Sequence, residues 1–487
     1  MFNSTLGLDF LLPTCWHIER KNTNFVARNF LSMMTTRLPE EFLAQIKDLL
    51  GSSEANMLAE ALDQEPSVAI RTNTRKPCSL PQWAEAGKKV MWSVNGRYLD
   101  ERPQFTFTPQ LHAGGFYVQD ASSMIHELIL KQIAPEHPIC YLDLCAAPGG
   151  KTTAAINMLA DGSLVVANEY VPMRSQILKE NIQKWGYPNV IVTNSSVERL
   201  CKTPGLYDII AIDAPCSGEG MMRKDEEARR QWSNSLVNEC ATLQWQIICD
   251  SWDTLKEEGY LIYSTCTFNR QENEEMVSRI CSELGAETIK LDISDDWGIQ
   301  PGIDTSLHCY RFMQHHTRGE GLFVAVLRKT TEQKDWQPRK SKRPAKAPKL
   351  PTINWLSGND WHFTEHNGTI CAISRDHAPI LDEISQCTKV IMAGIEVATV
   401  KGKDLIPQHG LALSTSLRSD AFPRVELDYP TAINYLQREA ITLPDGSPRG
   451  FVIVCHESMP LGFVKNLGNR ANNLYPQEWR IRTSLPK

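Results

Sequence analysis

Strand-like apolar runs alternate with helical patterns between residues 139 and 327 of this 487-residue chain. The strand-like runs cover 139–144, 164–168, 189–193, 207–212, 259–264 and 322–327, and the helical patterns cover 171–185, 235–257 and 270–284. Strands separated by helices over about 200 residues predict an α/β fold with a doubly wound, mainly parallel sheet. Because ligands of such sheets bind beyond the carboxyl ends of the strands, we expect the segments after the strands to line one crevice. These segments are 143–151, Glu169, 194–196, 213–220 and 264–268.

A Pro-Gly-Gly turn follows the first run and leads directly into a helix-like pattern. Gly149 and Gly150 carry no Cβ, so backbone and ligand can approach closely, and the helix start presents N–H groups to that ligand. The spacing excludes two phosphate-binding motifs: Cys145 stands where a phosphate loop needs glycine, and G-x-G-x-x-G is absent. An ordinary strand-to-helix turn explains this stretch when it is taken alone. If the turn does bind a ligand, the remaining interpretation is an adenosine-type molecule such as S-adenosylmethionine.

An acidic residue stands at the end of the next strand, about 20 residues after the glycine turn. This residue is Glu169. An acid at this position can hold both hydroxyls of a ribose, whereas the alternative is a solvated strand end without a ligand. The position of Glu169 favours the interpretation that it binds a ribose.

Asp213, Cys216 and Cys266 follow two other strand-like runs. A single cysteine is usually a small buried hydrophobe, but two at strand ends favour a functional interpretation. Metal binding is disfavoured because no histidine or further cysteine stands at ligand spacing. A thiolate that adds to C6 of a pyrimidine makes C5 nucleophilic, and a carboxyl group at N3 stabilises the developing charge. Methyl transfer to an exocyclic amine or to a protein would need no thiol.

Composition limits the compartment and the partners. The chain has a net charge of −6, so nucleic-acid binding would have to come from local basic patches. Residues 328–349 are such a patch, with nine Lys/Arg against two acids and a net charge of +7. Fourteen cysteines without a C-x-x-C pair favour a reducing cytoplasm over a disulfide scaffold or a structural zinc site. No apolar run approaches the roughly 20 residues that a membrane span requires.

The chain is predicted to have three folded parts. Residues 1–32 lack periodicity, and we expect them to be disordered or to precede the true start of translation. The remaining parts are a small N-terminal α+β module at 33–112, an α/β domain at 113–329, a basic linker at 330–350 and a C-terminal region at 351–487. Two helices are expected within 38–62, and strands at 68–72, 90–99, 369–374, 389–400 and 451–455. Aromatic residues among bases near the C-terminus suit RNA stacking, and a small β-barrel core would explain them equally well.

Four motifs in order resemble the RNA (cytosine-5)-methyltransferases of the Nop/Sun family. They are GGFYVQDASS, DLCAAPGGKTT, DAPCSGEGMMRK and YSTCTFNRQENE. In the first motif, Asp120 or Ser122 either caps the following helix or contacts a ligand. Within the family, the chain is most similar to the F type of the bacterial ribosomal RNA small-subunit methyltransferases, from about Leu38 onwards. The resemblance implies that residues 113–329 are a Rossmann-like S-adenosylmethionine-dependent methyltransferase domain. It also implies that the small N-terminal α+β module and a C-terminal PUA-like β domain bind RNA.

The resemblance also assigns site residues. It implies that Cys266 is the nucleophile, that Cys216 helps to release the product, and that Asp213 orients the cytosine close to the cofactor. The implied cofactor-binding residues are Cys145, Ala146, Ala147, Pro148, Gly149, Gly150, Lys151, Glu169, Asn194, Ser196 and Asp213. Ser196 stands where the family often has an acid near the adenine. The implied substrate is small-subunit ribosomal RNA, methylated in the cytoplasm by a monomer. Transfer RNA, or a non-catalytic role as an RNA-binding assembly factor, is the alternative.

Overall fold

The computed structural model describes residues 37–338, 352–358, 360–366, 368–402 and 404–483. The predictions for residues 1–32, and for most of the basic linker, lie outside the described residues. The chain forms two compact units. The first comprises Met1–Ser67, Ala211–Asp253 and Glu257–Glu332, and the second comprises Val68–Ile210, Thr254–Lys256 and Gln333–Lys487, each in its described part.

Helices occur in both units. They are α1 (Glu40–Leu50), α2 (Ser52–Leu62), α3 (Gln82–Glu85), α4 (Pro109–His112), α5 (Ile125–Ile133), α6 (Gly150–Met158), α7 (Pro172–Trp185), α8 (Val197–Leu200), α9 (Glu226–Gln231), α10 (Asn234–Trp252), α11 (Glu274–Leu284), α12 (Ala378–Cys387), α13 (His409–Leu413) and α14 (Tyr429–Leu436). In the described part of the chain, none of these helices combines the length and the apolarity that a membrane crossing requires.

The strands are numbered in chain order. They are β1 (Val68–Thr72), β2 (Gly96–Leu99), β3 (Phe116–Val118), β4 (Cys140–Asp143), β5 (Leu164–Asn168), β6 (Val190–Thr193), β7 (Tyr207–Asp213), β8 (Leu255–Thr265), β9 (Ala286–Thr288), β10 (Gln300–Pro301), β11 (Cys309–Phe312), β12 (Leu322–Lys329), β13 (Trp361–His366), β14 (Thr369–Ser374), β15 (Val390–Ala393), β16 (Ile395–Lys401), β17 (Asp404–Pro407), β18 (Arg424–Glu426), β19 (Gly450–His456), β20 (Met459–Asn466) and β21 (Ala471–Asn473).

A parallel sheet lies at the centre of the second unit. Strands β4, β5 and β6 are adjacent and parallel, and every residue of the three is buried. Such strands read as continuous apolar runs because both of their faces are covered. The start of β7 lies beside β4, and β15 pairs antiparallel with β6 at the other edge. The predicted mainly parallel sheet is confirmed here, with one antiparallel strand added from far along the chain.

A small antiparallel sheet in the order β2-β1-β3 precedes the parallel strands. Its core contains Ile70, Leu99, Phe105 and Phe116, which are buried. Strand β1 has the predicted bounds. The predicted strand or hairpin at 90–99 is wrong in its first half, because only Gly96–Leu99 forms a strand.

Two further four-stranded sheets form the C-terminal part of the second unit, in the orders β13-β14-β16-β17 and β18-β19-β20-β21. The single strand predicted at 389–400 is divided at Gly394, where φ is +66°. A Cβ at Gly394 would lie 2.1 Å from the carbonyl oxygen of Ala372. Glycine therefore allows the chain to leave the edge of the parallel sheet as β15 and enter another sheet as β16.

The first unit pairs β8 and β12 antiparallel, with β11 and β10 beyond them. Helices α1 and α2 are the two predicted amphipathic helices, separated at Gly51 where φ is +80°. Their buried faces pack with Trp232, Phe268 and Met313 in one apolar core. This core contains a residue of the chain that follows β8, so the N-terminal helices support a segment of the candidate active site.

Candidate active site

The glycine turn after β4 adopts a strand–turn–helix geometry. Gly149 precedes α6 with φ +111°, in the left-handed region that favours glycine. The side chain of Asp143, at the end of β4, accepts a hydrogen bond from Thr152 Oγ1 in the first turn of α6 at 2.7 Å. The turn is therefore fixed at both ends, and the first N–H groups of α6 have no intrahelical acceptor.

Asn168 joins the turns that follow β4 and β6. Its carbonyl accepts the N–H of Ala146 at 2.9 Å, and its Nδ2 donates to the carbonyls of Leu144 at 3.3 Å and Ser195 at 3.1 Å. Thr193 Oγ1 donates to Asn168 Oδ1 at 2.8 Å. The sequence did not single out Asn168, because an asparagine at the end of an apolar strand carries no distinctive signal.

Glu169 is buried rather than solvated, with 4% of its surface exposed, so the alternative of a solvated strand end is wrong. One carboxylate oxygen accepts the N–H of Val171 at 2.8 Å, and the other lies 3.7 Å from Arg174 Nη2. Asn194 Nδ2 donates to the Glu169 carbonyl at 2.7 Å. Ser196 precedes α8 and makes no side-chain capping bond. These predicted cofactor residues lie together at the carboxyl ends of β5 and β6.

A buried hydrogen-bond donor without a partner lies at the start of α6. Gln119 Nε2 has no acceptor among the described residues. A Cβ at Gly150 would lie 3.2 Å from this nitrogen, so glycine keeps the space beside it open. A buried donor of this kind requires an acceptor, and a ligand carboxylate supplies one. Together with the acid at Glu169, these residues fit the two ends of S-adenosylmethionine.

Arg71 fixes the orientation of this donor. Its buried guanidinium donates to Gln119 Oε1 at 2.7 Å, to Thr153 Oγ1 at 2.6 Å and to the Gly150 carbonyl at 3.0 Å. With Oε1 occupied, the amide nitrogen of Gln119 points away from the guanidinium. Asp120, the next residue, accepts the N–H of Ser123 at 3.2 Å in the turn before α5. Helix α5 itself has no side-chain cap, so the predicted cap from Asp120 or Ser122 is not formed.

We expect Glu169→Gln to weaken binding of S-adenosylhomocysteine about tenfold or more while leaving the fold intact, since a charge-assisted hydrogen bond to ribose contributes roughly 1.5–3 kcal/mol. The amide oxygen can still accept the N–H of Val171, so the local turn is preserved. Calorimetric titration measures the affinity, and Glu198→Gln, at an exposed position in α8, is the control. Unchanged affinity would remove Glu169 from the cofactor site.

Two thiols meet in the first unit. Cys216 follows β7 and Cys266 follows β8, and their Sγ atoms are 3.2 Å apart. The N–H of Cys266 also lies 3.3 Å from Cys216 Sγ. Cys216 is buried and Cys266 is partly exposed. The hydrogen bond to Cys266, followed by burial, raises the pKa of Cys216 well above its ordinary value, so Cys216 remains a protonated thiol at neutral pH.

Asp213 lies at the end of β7, beside β8. Ser264 Oγ donates to Asp213 Oδ1 at 2.8 Å, and the N–H of Ala214 donates to the Ser264 carbonyl at 2.8 Å. The carboxylate is thus held at the start of the Cys216 loop. Asp213, Cys216 and Cys266 all belong to the first unit.

A buried carboxylate, Glu272, joins the two cysteine-bearing loops. It accepts hydrogen bonds from Ser217 N at 3.1 Å, Ser217 Oγ at 2.5 Å, Gln244 Nε2 at 2.7 Å and Asn269 Nδ2 at 2.7 Å. Ser217 is next to Cys216, and Asn269 is three residues after Cys266. Burial raises the pKa of Glu272 to about 7, and the nearby Glu219 carboxylate adds to this effect.

Glu219 is a second buried carboxylate with the same function in packing. Its Oε2 accepts the N–H groups of Phe268 at 2.6 Å and Asn269 at 2.9 Å. Its Oε1 accepts Gln45 Nε2 at 2.8 Å and Trp232 Nε1 at 3.0 Å. The two carboxylates therefore hold the loop after β7 against the loop after β8. Both lie inside the motifs DAPCSGEGMMRK and YSTCTFNRQENE, but the sequence analysis assigned no role to either carboxylate.

The predicted site residues thus fall into two groups. Residues 145–151, Glu169, Asn194 and Ser196 lie in the second unit, and Asp213, Cys216 and Cys266 lie in the first. The prediction that all the strand-end segments line one crevice involves both units and stays a prediction.

Three family models match the chain. Residues 130–328 match 16S rRNA methyltransferase RsmB/F. Residues 38–121 match the N-terminal domain of 16S rRNA methyltransferase RsmF, and residues 422–481 match the methyltransferase RsmF PUA domain.

Similar proteins cover most of the chain. Ribosomal RNA small subunit methyltransferase F of Cronobacter sakazakii is 29% identical over 474 residues, which is 91% of this chain and 96% of that protein. The protein of the same name from Shewanella loihica is 29% identical over 412 residues, or 80% and 83% of the two chains. Among solved structures, NSun6 from Pyrococcus horikoshii with SFG has a TM-score of 0.54 at 21% identity, covering 61% of this chain and 100% of that chain. A methyltransferase homolog from the same organism has a TM-score of 0.51 at 25% identity, covering 60% and 95%.

The parallel sheet, the glycine turn and the buried strand-end acid define a Rossmann-like methyltransferase that uses S-adenosylmethionine. The predicted fold class, enzyme class and cofactor are confirmed. Residues 130–328 form a methyltransferase domain of the RsmB/F family, and the chain also carries the N-terminal and PUA domains of the RsmF type.

Proposed function

We propose that this enzyme methylates C5 of a cytosine in small-subunit ribosomal RNA through a covalent bond between Cys266 and C6 of the base. The pair of thiols 3.2 Å apart at two strand ends is the observation that carries this proposal. Methyl transfer to an amine or an oxygen would need neither thiol. The names of the similar proteins support ribosomal RNA of the small subunit as the substrate.

Cys266 suits the role of nucleophile because its side chain is partly exposed and can reach a base. Its thiolate adds to C6, and the electron pair of the C5–C6 double bond moves so that C5 becomes nucleophilic. Asp213, held by Ser264, is placed to orient the cytosine at N3 and to stabilise the charge that develops there. S-adenosylmethionine, when bound, supplies the methyl group that C5 accepts.

Cys216 suits the release step. After methylation, the C5 proton leaves, its electron pair restores the double bond, and the bond between C6 and the Cys266 sulfur breaks. Cys216 remains protonated and lies 3.2 Å from that sulfur, so its S–H can hydrogen-bond to the departing thiolate. The chemistry of the two thiols therefore differs although they are in contact.

The test is methylation of defined RNA by the purified enzyme. Small-subunit ribosomal RNA, assembled small subunits and transfer RNA from a strain lacking the gene are each incubated with enzyme and S-adenosylmethionine, then sequenced after bisulfite treatment. We expect one cytosine of the ribosomal RNA to become resistant to conversion by bisulfite. If only a cytosine of transfer RNA became resistant to bisulfite, the substrate would be transfer RNA and not ribosomal RNA. Methyl incorporation without any bisulfite-resistant cytosine would contradict methylation at C5.

The C-terminal sheets offer a candidate groove for RNA. It has a volume of about 520 Å³ and is lined by two lysines, one acid and three apolar residues, which are Lys401, Lys465, Asp404, Leu405, Ile406 and Phe451. Lys465 Nζ lies 5.4 Å from the centroid of the Phe451 ring, so a cation and an aromatic face are presented together. Phosphate contact and base stacking use these two groups.

We expect Lys465→Ala to weaken RNA binding and to reduce the slope of log affinity against log salt by about one. A point variant is preferable to deletion of residues 351–487, because β15 completes the edge of the parallel sheet. Lys131→Ala, at an exposed position in α5, is the control. Identical salt slopes in the two variants would exclude Lys465 from the phosphate contacts.

We also propose that the enzyme acts as a monomer in the cytoplasm. The thirteen cysteines in the described residues are all free, which suits a reducing compartment. Light scattering during gel filtration tests the monomer.

A further inference from the structure

Three side chains that can ligate a metal ion converge in the first unit, among residues that the methylation chemistry does not use. Glu54 lies in the first turn of α2, and His315 and His316 lie in the turn after β11. Glu54 Oε2 is 2.9 Å from His315 Nε2 and 2.7 Å from His316 Nε2. The three ligand atoms all lie within 4.8 Å of one another.

The two histidines are held in this arrangement by their backbone. The N–H groups of His316 and Thr317 both donate to the Met313 carbonyl, at 2.9 and 2.8 Å. A Cβ at Gly298 would lie 2.4 Å from the His316 carbonyl oxygen, so the neighbouring chain packs closely against the turn. The imidazole rings are 4.1 Å apart. Two of the ligands are therefore positioned before any ion binds.

The three donor atoms suit a cation. Two imidazole nitrogens and one carboxylate oxygen form a donor set of the kind that zinc accepts, with a fourth position left for water.

We propose that Glu54, His315 and His316 bind a divalent transition-metal ion of the zinc type. Tetrahedral zinc with bonds of about 2.0–2.1 Å separates its ligands by about 3.3 Å, so the Glu54 oxygen must move outward by roughly half an ångström. Its side chain is 40% exposed and free to do so, whereas the His315 side chain is 4% exposed. The ion would join α2 to a turn 261 residues further along the chain.

The affinity is expected to be moderate. A metal-bound histidine usually donates its second ring N–H to an acceptor, which strengthens the metal bond. His315 Nδ1 is buried without a hydrogen-bond partner among the described residues. We therefore expect binding in the micromolar range rather than the nanomolar range of closed structural sites.

The experiment titrates the full-length, chelator-treated enzyme with Co²⁺, followed by visible absorption, and with Zn²⁺, followed by thermal unfolding. The test variants are His316→Ala and Glu54→Gln, and His308→Ala, at an exposed position just before β11, is the matched control. Because thiols elsewhere also bind these ions, the measured quantity is the difference between variants. We expect wild type and His308→Ala to bind one more equivalent of metal ion than either test variant does. At this site the metal affinity of the test variants should be lower by at least about tenfold.

Zn²⁺ should also raise the unfolding temperature of wild type and His308→Ala but not of the two test variants, because an ion that binds only the folded chain stabilises it. Equal metal binding in all four proteins, or no binding in any, would overturn the proposal. The proposal would also fail if the test variants had lower unfolding temperatures in the presence of chelator but bound metal as wild type does. The three side chains would then stabilise the fold through hydrogen bonds alone. None of these measurements depends on methyl transfer.

Discussion

Replacement of Cys266 by alanine is expected to abolish turnover, by at least about a thousandfold, together with any covalent enzyme–RNA adduct. Cys216→Ala is expected to attack and methylate the base and then to stall as an adduct that survives denaturing gel electrophoresis. The asymmetry follows from the order of the steps, because attack precedes methyl transfer and elimination follows it. Burial and the raised pKa of Cys216 support the same assignment.

Radiolabelled RNA makes both outcomes visible on one gel, and Cys249→Ala, at an exposed thiol in α10, is the control. Full activity and no stable adduct are expected of that variant. An adduct trapped by Cys266→Ala but not by Cys216→Ala would reverse the two roles. Turnover retained in both variants would contradict covalent catalysis.

Glu272→Gln is expected to reduce turnover about tenfold or more without changing the affinity for S-adenosylhomocysteine. All four partners of this carboxylate donate hydrogen bonds, so an amide nitrogen in place of either oxygen faces at least one donor. An unsatisfied buried group costs about 1–3 kcal/mol, which is enough to displace the loop that carries Cys216. Glu275→Gln, three residues further on and exposed, is the control. Equal turnover of the two variants would show that the carboxylate does not position the thiols.

The Glu272→Gln variant should also differ from wild type in how its free energy of unfolding depends on pH. Its pKa in the folded chain is raised to about 7 from an ordinary value of 4.5, so between these values the folded chain keeps a proton that the unfolded chain releases. The free energy of unfolding therefore falls as pH rises through this window, and the contribution is fully present only below it. Denaturant unfolding at about pH 5 and about pH 8 should show a smaller loss for Glu272→Gln than for wild type. An identical loss would contradict the raised pKa.

The parallel strands were predictable because burial on both faces requires continuous apolar runs, and Leu164–Asn168 has the predicted bounds. The glycine turn was predictable because Gly149 needs a left-handed backbone before a helix. Residues that act through partners distant in the sequence were not predictable. Glu272 is one acid among several polar neighbours until Ser217 and Gln244 are folded against it.

The same reason explains the metal-ligating cluster. His315 and His316 are adjacent in the sequence, but Glu54 is 261 residues away and reaches them only through packing of the N-terminal helices. The break at Gly394 was also hidden, since the apolar pattern continues on both sides of it. The positive φ and the close approach of Ala372, which require glycine there, exist only in the folded chain.

The pairing of β15 with β6 has a consequence for how the chain is made. Strand β6 ends at Thr193, and its antiparallel neighbour begins at Val390, almost 200 residues later in synthesis. While the ribosome adds the intervening residues, one edge of the nascent parallel sheet presents unpaired N–H and carbonyl groups. Unpaired strand edges recruit other strands, so this is the interval in which the growing chain is most exposed to misassociation. The cofactor-binding half of an RNA-modifying enzyme is thus completed only when its RNA-binding end is being translated.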